Sequence, residues 1–347
     1  MASYPELILH IGAGKTGSTA IQFTLRKAGA EVLAGQGLGY FGLMLEELPA
    51  ARSHDWCRPG QPQLYFQSRE EERTDAEAEA AALAGLKEAA AQGLKRVVWS
   101  NEAFLIQNRR ILPVVQRLAG QGVPVRVIAY VRRHDKRARS AYVEFALKSK
   151  RYKGPLKRFN DWLGHHPLAY SAPLALWEEA FPGQVEVYNF DAVGDVAAHF
   201  CDLAGVADLP LSRANETPSD ALLTAWTVYN GSKEKATWAN DFRRVARPLK
   251  LHADRDIPSL EELLPSSADL QATQAHFAED SAAVNAMLAA NGQPPLETGS
   301  IEAKMPEVSE WEMNRMLLQM VFSLQEQVLK LQKSVEDLSS NADIETD

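Results

Sequence analysis

The sequence predicts an α/β protein, a mostly parallel sheet flanked by helices, followed by a separate C-terminal helix. Three observations predict it. Four short β-branched runs recur between helical patterns, a glycine-rich turn directly follows the first of them, and a seven-residue hydrophobic repeat lies near the end of the chain. Strands that alternate with helices imply right-handed crossovers and therefore parallel pairing.

The four runs are Leu7-Ile8-Leu9-His10-Ile11, Arg96-Val97-Val98-Trp99, Val125-Arg126-Val127-Ile128-Ala129-Tyr130 and Val185-Glu186-Val187-Tyr188. In such a sheet ligands bind outside the carboxyl ends of the strands, so the turns after the first and third runs are where chemistry is expected. Residues 69–92 are rich in Ala and Glu and read as an exposed helix ended by Gly93. From Asn215 the pattern is mainly helical to Ala290, and Asn291-Gly292-Gln293-Pro294-Pro295 opens a polar stretch with the character of a linker. Asn314, Val321, Val328 and Val335 then share heptad spacing with Leu317, Leu324, Leu331 and Leu338, as the a and d seam of a coiled coil does. Valine at a with leucine at d favours parallel two-stranded pairing, and one Asn at an a position fixes register. The expected organisation is an α/β domain over 1–290, a linker over 291–309, a dimerising coiled-coil helix over 310–340 and a disordered tail over 341–347. The alternative for the helix is an apolar face packed on its own domain.

Composition narrows the function classes. The chain has 347 residues, 46% hydrophobic and 24% charged, the balance of a globular protein with a core. No apolar run approaches the ~20 residues of a membrane helix, and Met1-Ala2-Ser3 leads into the first strand without a signal-peptide pattern. A net charge of −8 argues against a general nucleic-acid binder. With only Cys57 and Cys201, neither a disulfide scaffold nor a cysteine zinc site is expected, and no other metal-ligand spacing is present. A cytoplasmic protein without bound metal is the expectation.

Gly12-Ala13-Gly14-Lys15-Thr16-Gly17-Ser18-Thr19 sits between the first strand and the helical Ala20-Ile21-Gln22-Phe23-Thr24-Leu25. Its physics is that of an anion site. Glycines let backbone approach a ligand, the helix start carries partial positive charge, and Lys15 adds a full charge beside the Thr16, Ser18 and Thr19 hydroxyls. A nucleotide-triphosphatase loop would need a glycine where Leu9 stands. The dinucleotide spacing G-x-G-x-x-G does match Gly12, Gly14 and Gly17, but Glu31 precedes any second strand that could present it to a ribose.

The stretch Leu9 to Thr19 resembles the 5′-phosphosulfate loop of sulfotransferases that use 3′-phosphoadenosine 5′-phosphosulfate (PAPS). A second motif strengthens the resemblance. After the third strand, Arg132 and Ser140 have the eight-residue spacing of the family's 3′-phosphate site, and a guanidinium with a hydroxyl suits a phosphate. Arg133-His134 stands where many relatives have Asp-Pro, and Arg133 is itself a candidate anion contact. Leu174-Ala175-Leu176-Trp177-Glu178-Glu179-Ala180-Phe181 and Arg213-Ala214-Asn215-Glu216-Thr217-Pro218-Ser219 are similar to further segments of bacterial members. The resemblance covers most of residues 7–290 and implies a P-loop-like sulfotransferase fold.

It also implies roles. Gly14, Lys15, Thr16, Gly17, Ser18, Thr19, Arg132 and Ser140 would hold PAPS, and Lys15 would neutralise charge growing on the bridging oxygen. Two residues are candidates for the base that takes the acceptor proton. Glu102, in Ser100-Asn101-Glu102, follows the second run; its competing role is a helix N-terminal acid. His54, in Ser53-His54-Asp55-Trp56, is the other, because histidine titrates near neutrality. Arg132 to Arg158 holds eleven Lys/Arg against two Asp/Glu, and Lys148, Lys150, Arg151 and Lys153 are candidates for an acidic acceptor. The expected activity is sulfuryl transfer from PAPS to a hydroxyl of a carbohydrate or other polar acceptor. The rivals are a P-loop-like nucleotide-dependent kinase, an NAD-linked oxidoreductase and a non-catalytic oligomeric nucleotide-binding module.

Overall fold

A computed structural model describes residues 3–166, 168–211, 220–231, 233–244, 259–297, 299, 303, 306–309 and 310–344. From the N-terminus the elements are β1 (Glu6–His10), α1 (Ser18–Ala28), α2 (Ala30–Gly35), β2 (Leu38–Tyr40), α3 (Gln63–Phe66), α4 (Glu71–Ala91) and β3 (Arg96–Ser100). Next come α5 (Asn108–Gly120), β4 (Val125–Val131) and α6 (His134–Tyr142), which runs into a π-helical turn at Val143–Lys148. Then α7 (Phe159–Leu163), α8 (Ser171–Ala180), β5 (Val185–Asn189) and α9 (Val196–Leu203) follow. The last elements are α10 (Asp220–Gly231), α11 (Ala239–Arg244), α12 (Leu260–Leu263), α13 (Ser267–His276), α14 (Ala278–Ala290) and α15 (Glu310–Ile344).

The five strands form one all-parallel sheet in the order β2-β3-β1-β4-β5. β1 is central, with Leu9 opposite Trp99 of β3 on one side and Val127 of β4 on the other. Parallel pairing brings the carboxyl ends of all strands to one edge, so the turns after β1, β3, β4 and β5 are neighbours there. The apolar runs have the composition of strands covered on both faces. Leu7, Leu9, Val97, Trp99, Val127 and Ala129 face a core shared with α4, α5, α8 and α14, while Ile8, Val98, Ile128 and Tyr130 face α1 and α9. The four expected strands are present; β2, three residues at the sheet edge with Gly39 in its middle, is an addition to them.

α4 differs from the exposed helix its composition suggested. Ala78, Ala81, Ala82, Gly85, Leu86 and Ala89 are buried, and a Cβ at Gly85 would lie 2.8 Å from Leu48. Small side chains here mark close approach to the core. Residues 291–297, expected as linker, carry buried Leu296 into the same core, and its N–H donates to Asn285 Oδ1 at 2.7 Å.

The chain divides into two compact units, each discontinuous in sequence. Met1–Arg137, Pro167–Glu216 and Ala272–Ser300 form the first; Ala138–His166, Thr217–Gln271 and Ile301–Asp347 form the second. Within the first, Asp280 on α14 is a clip. It accepts from the N–H groups of Tyr170 and Ser171 at 3.0 and 2.8 Å, from the Ser171 hydroxyl, and pairs with His134 Nε2 at 2.8 Å. Burial alone would raise this carboxyl, but those donors outweigh it and hold it well below the usual carboxylate range. The clip thereby fastens α14 to the starts of α6 and α8.

Within the second unit, α10 packs on the π-helical turn and on α15. Asn230 organises the first of these contacts: its Nδ2 donates to the Leu147 and Lys148 carbonyls, and its Oδ1 accepts from Thr237 Oγ1 at 2.6 Å. Lys150 is fully buried and donates to the Asn230 and Lys233 carbonyls, and Lys148 pairs with Glu144 at 2.8 Å. α15 runs 35 residues, to Ile344, so the helix continues four residues into the expected tail; residues 345–347 lie outside the described residues. Its heptad residues Leu317, Val321, Val328, Leu331 and Val335 are between 46% and 67% exposed. Among the described residues no helix is long and apolar enough to cross a membrane.

Candidate functional site

The turn after β1 is shaped by backbone handedness. Lys15 and Gly17 both have left-handed conformations, with φ of +74° and +82°. Any side chain at 17 would collide, because its Cβ would lie 2.3 Å from Val196 Cγ1. A non-glycine residue held left-handed stores strain of about 1–3 kcal/mol, and alternating-hand turns gather N–H groups around a concavity that suits an anion. Thr16, buried between them, spends its hydroxyl proton on the Ala13 carbonyl at 2.6 Å, so this hydroxyl staples the turn instead of donating to a ligand. α1 starts at Ser18 without a side-chain cap. The start of α1 presents backbone N–H groups and the positive end of the helix dipole to this concavity, which suits an anion.

Two buried polar atoms at this turn lack hydrogen-bond partners among the described residues: Ser18 Oγ and His10 Nε2. Both approach one point, since a Cβ built on Gly12 would sit 2.8 Å from the former and 2.7 Å from the latter. A side chain at 12 would collide with both, so glycine is what lets the strand end pack this closely on His10 and Ser18. The left-handed turn at Lys15 and Gly17 is what fits a phosphate-bearing ligand. His10 is wedged between the rings of Tyr130 and Phe200, and burial holds it down to about 3, so it stays neutral at physiological pH.

From His10 a hydrogen-bonded chain leads to the turn after β3. His10 Nδ1 and Ser100 Oγ are 2.8 Å apart, and Gln22 Nε2, on α1, donates to Ser100 Oγ at 3.4 Å and to Glu102 Oε2 at 3.0 Å. Asn101 forms the turn by accepting from Ala103 N–H at 2.9 Å and donating to the Leu43 carbonyl at 3.0 Å. α5 begins only at Asn108, so Glu102 is not the helix N-terminal acid of its competing role. His54 is engaged elsewhere: it pairs with Glu77 of α4 at 3.3 Å and stacks on Trp56, whose indole N–H donates to the same carboxylate at 2.8 Å.

After β4, Arg132 lies over the ring of Phe190, 5.1 Å from its centroid, and pairs with Asp191 at 3.1 Å. Lys136 reaches the other oxygen of Asp191 at 3.4 Å. Arg133, a further candidate, is committed to a bidentate pair with Asp135 at 2.7 and 3.0 Å. The Phe190 ring also borders the first turn, since a Cβ at Gly17 would lie 3.0 Å from its Cε2. Lys15's turn and the Arg132 guanidinium therefore flank a single aromatic ring. Ser140 lies on α6, among the residues of the second unit.

The structure thus gathers Gly14 to Thr19 and Arg132 around Phe190, links Glu102 to the turn through Gln22 and His10, and leaves His54 in a separate contact with α4. His10, Gln22, Ser100, Phe190 and Asp191 complete the arrangement, and sequence reasoning gave them no role. The available signal was a lone histidine at the end of an otherwise apolar strand. No family model and no curated protein matches this chain.

Proposed function

We propose that the protein is a sulfotransferase that moves a sulfuryl group from PAPS to a hydroxyl of a carbohydrate or other polar acceptor. One observation carries the reading: the Gly17 turn, which carries Lys15, and the Arg132 guanidinium border the same Phe190 ring at adjacent strand ends. A turn suited to an anion and a guanidinium on either side of one aromatic ring suit one nucleotide with a phosphate at each end. PAPS supplies an activated sulfuryl group when bound. Gly14 to Thr19 hold the 5′-phosphate through N–H groups and the Ser18 and Thr19 hydroxyls, and Arg132 takes the 3′-phosphate. The acceptor oxygen bonds to sulfur as the bond from sulfur to the 5′-phosphate oxygen breaks, and adenosine 3′,5′-bisphosphate leaves. The acceptor proton passes to Glu102, which Gln22 orients, and Lys15 neutralises the departing oxygen.

The test is thermal stabilisation. A ligand at 100 times its Kd adds about 2.7 kcal/mol to the folded state. Adenosine 3′,5′-bisphosphate is expected to raise the melting temperature while ATP and NAD leave it unchanged, and Lys15→Ala should fold but lose transfer. A larger response to ATP or NAD would replace this reading with a kinase or an oxidoreductase.

The proposal includes a parallel homodimer through α15. The exposed Val and Leu seam is flanked by Gln327, Gln332 and Ser334, which carry no charge to repel a second copy.

A further inference from the structure

The second unit carries a half-open pocket of about 380 Å³; Arg151, an acceptor candidate from the sequence, lines it, but binding there does not depend on sulfuryl transfer. Arg151, Tyr152, Lys157, Trp162, His165 and His166 line it, and among the described residues no carboxylate does. Its permanent cations are held by aromatic faces. Arg151 lies 5.0 Å from the centroid of Phe145 and 5.1 Å from that of Trp238, and Lys157 Nζ lies 5.2 Å from that of Tyr152. Neither forms an ion pair with a described residue, although the basic segment supplies neighbours such as Lys148 and Arg133 that do.

Trp162 gives a second, independent observation. It is buried and stacked against His166, with ring centroids 3.7 Å apart, yet its indole N–H has no partner among the described residues. A buried donor of this kind calls for an acceptor. Burial pushes His166 below the ordinary imidazole value, its contact with the Trp162 carbonyl opposes this, and the charges of His165, Lys157 and Arg151 lower it further. Phe145, which also lines the pocket, belongs to the π-helical turn, a distortion that recurs at functional sites. The volume falls within the range of organic-ligand pockets and far exceeds what one inorganic anion fills.

We propose that this cavity binds a hydroxylated organic anion of about monosaccharide size, its carboxylate or phosphate meeting Arg151 and Lys157 and an oxygen of its body accepting the Trp162 N–H. Calorimetry on the full chain tests it with glucuronate, glucose 6-phosphate, glucose and inorganic phosphate as probes. At least one anionic sugar is expected to bind ten-fold or more tightly than both glucose and phosphate. Arg151→Gln combined with Lys157→Met should weaken that binding at least ten-fold, and Trp162→Phe, which keeps the ring, should weaken it several-fold. Adenosine 3′,5′-bisphosphate binding in the same variants should be unchanged, which separates this site from the nucleotide site. Failure of both anionic sugars to bind at 10 mM (roughly the weak end of useful affinity) would overturn the proposal. So would phosphate binding as tightly as either, or affinity unaltered in the double variant.

Discussion

The side chains at the strand ends are assigned by what already holds them. Gly17 is the sharpest case, because left-handed φ and the adjacent Val196 methyl both exclude a side chain. Gly17→Ala is expected to cost about 1–3 kcal/mol in urea denaturation and to weaken adenosine 3′,5′-bisphosphate binding, whereas a neutral effect on both would refute this account of the turn. The two candidate bases separate on geometry: Gln22 ties Glu102 to the turn, and Glu77 holds His54 against α4. Glu102→Gln should lower kcat by about 10²–10⁴-fold with nucleotide binding intact, and His54→Ala should leave kcat near wild type. The reverse pattern in steady-state assays would exchange their roles. Lys15, Gly17 and Arg132 could be singled out as candidates because each belongs to a motif local in the sequence. His10, Ser100 and Gln22 were not, because they meet only when β1, β3 and α1 are assembled.

Among the elements, the buried strands were the most legible part of the fold. β1, β3, β4 and β5 are covered on both faces, and continuous apolar runs announce that environment. β2 was invisible because three edge residues around a glycine carry little pattern, and the buried face of α4 was disguised by alanines. Asp280, which fastens α14 to α6 and α8, gives a pH signature. Its folded-state pKa is depressed, so its contribution is complete above the unfolded value of about 4 and is lost as pH falls below it. Asp280→Asn should destabilise by about 2–3 kcal/mol at pH 7 and flatten the loss of stability between about pH 4 and 2 in urea titrations. An unchanged acid limb in the variant would mean that other carboxylates set it.

For the molecule as a whole, the division into two units was beyond the sequence because each is assembled from three separate segments, which no change of composition marks. The C-terminal helix was legible because a heptad repeat needs only local spacing. At about 1.5 Å per residue, the 35 residues of α15 span about 52 Å and the 12 of α10 only about 18 Å, so α10 cannot cover the full seam. Deleting residues 325–347 should therefore halve the mass seen by light scattering while leaving the melting temperature within a few degrees. A dimer that survives this truncation would remove α15 from the assembly.

The pairing of Arg132 with Asp191 has a consequence for which nucleotides are accepted. The guanidinium already satisfies one negative charge, so a guest must displace or outmatch a resident carboxylate. A monoester phosphate, close to doubly ionised at neutral pH, offers more than Asp191 does, whereas a bare ribose hydroxyl offers nothing in exchange. If the proposed nucleotide binds here, the acid beside the arginine would act as a threshold: nucleotides without a 3′-phosphate would be turned away before the reacting end of the molecule is ever tested.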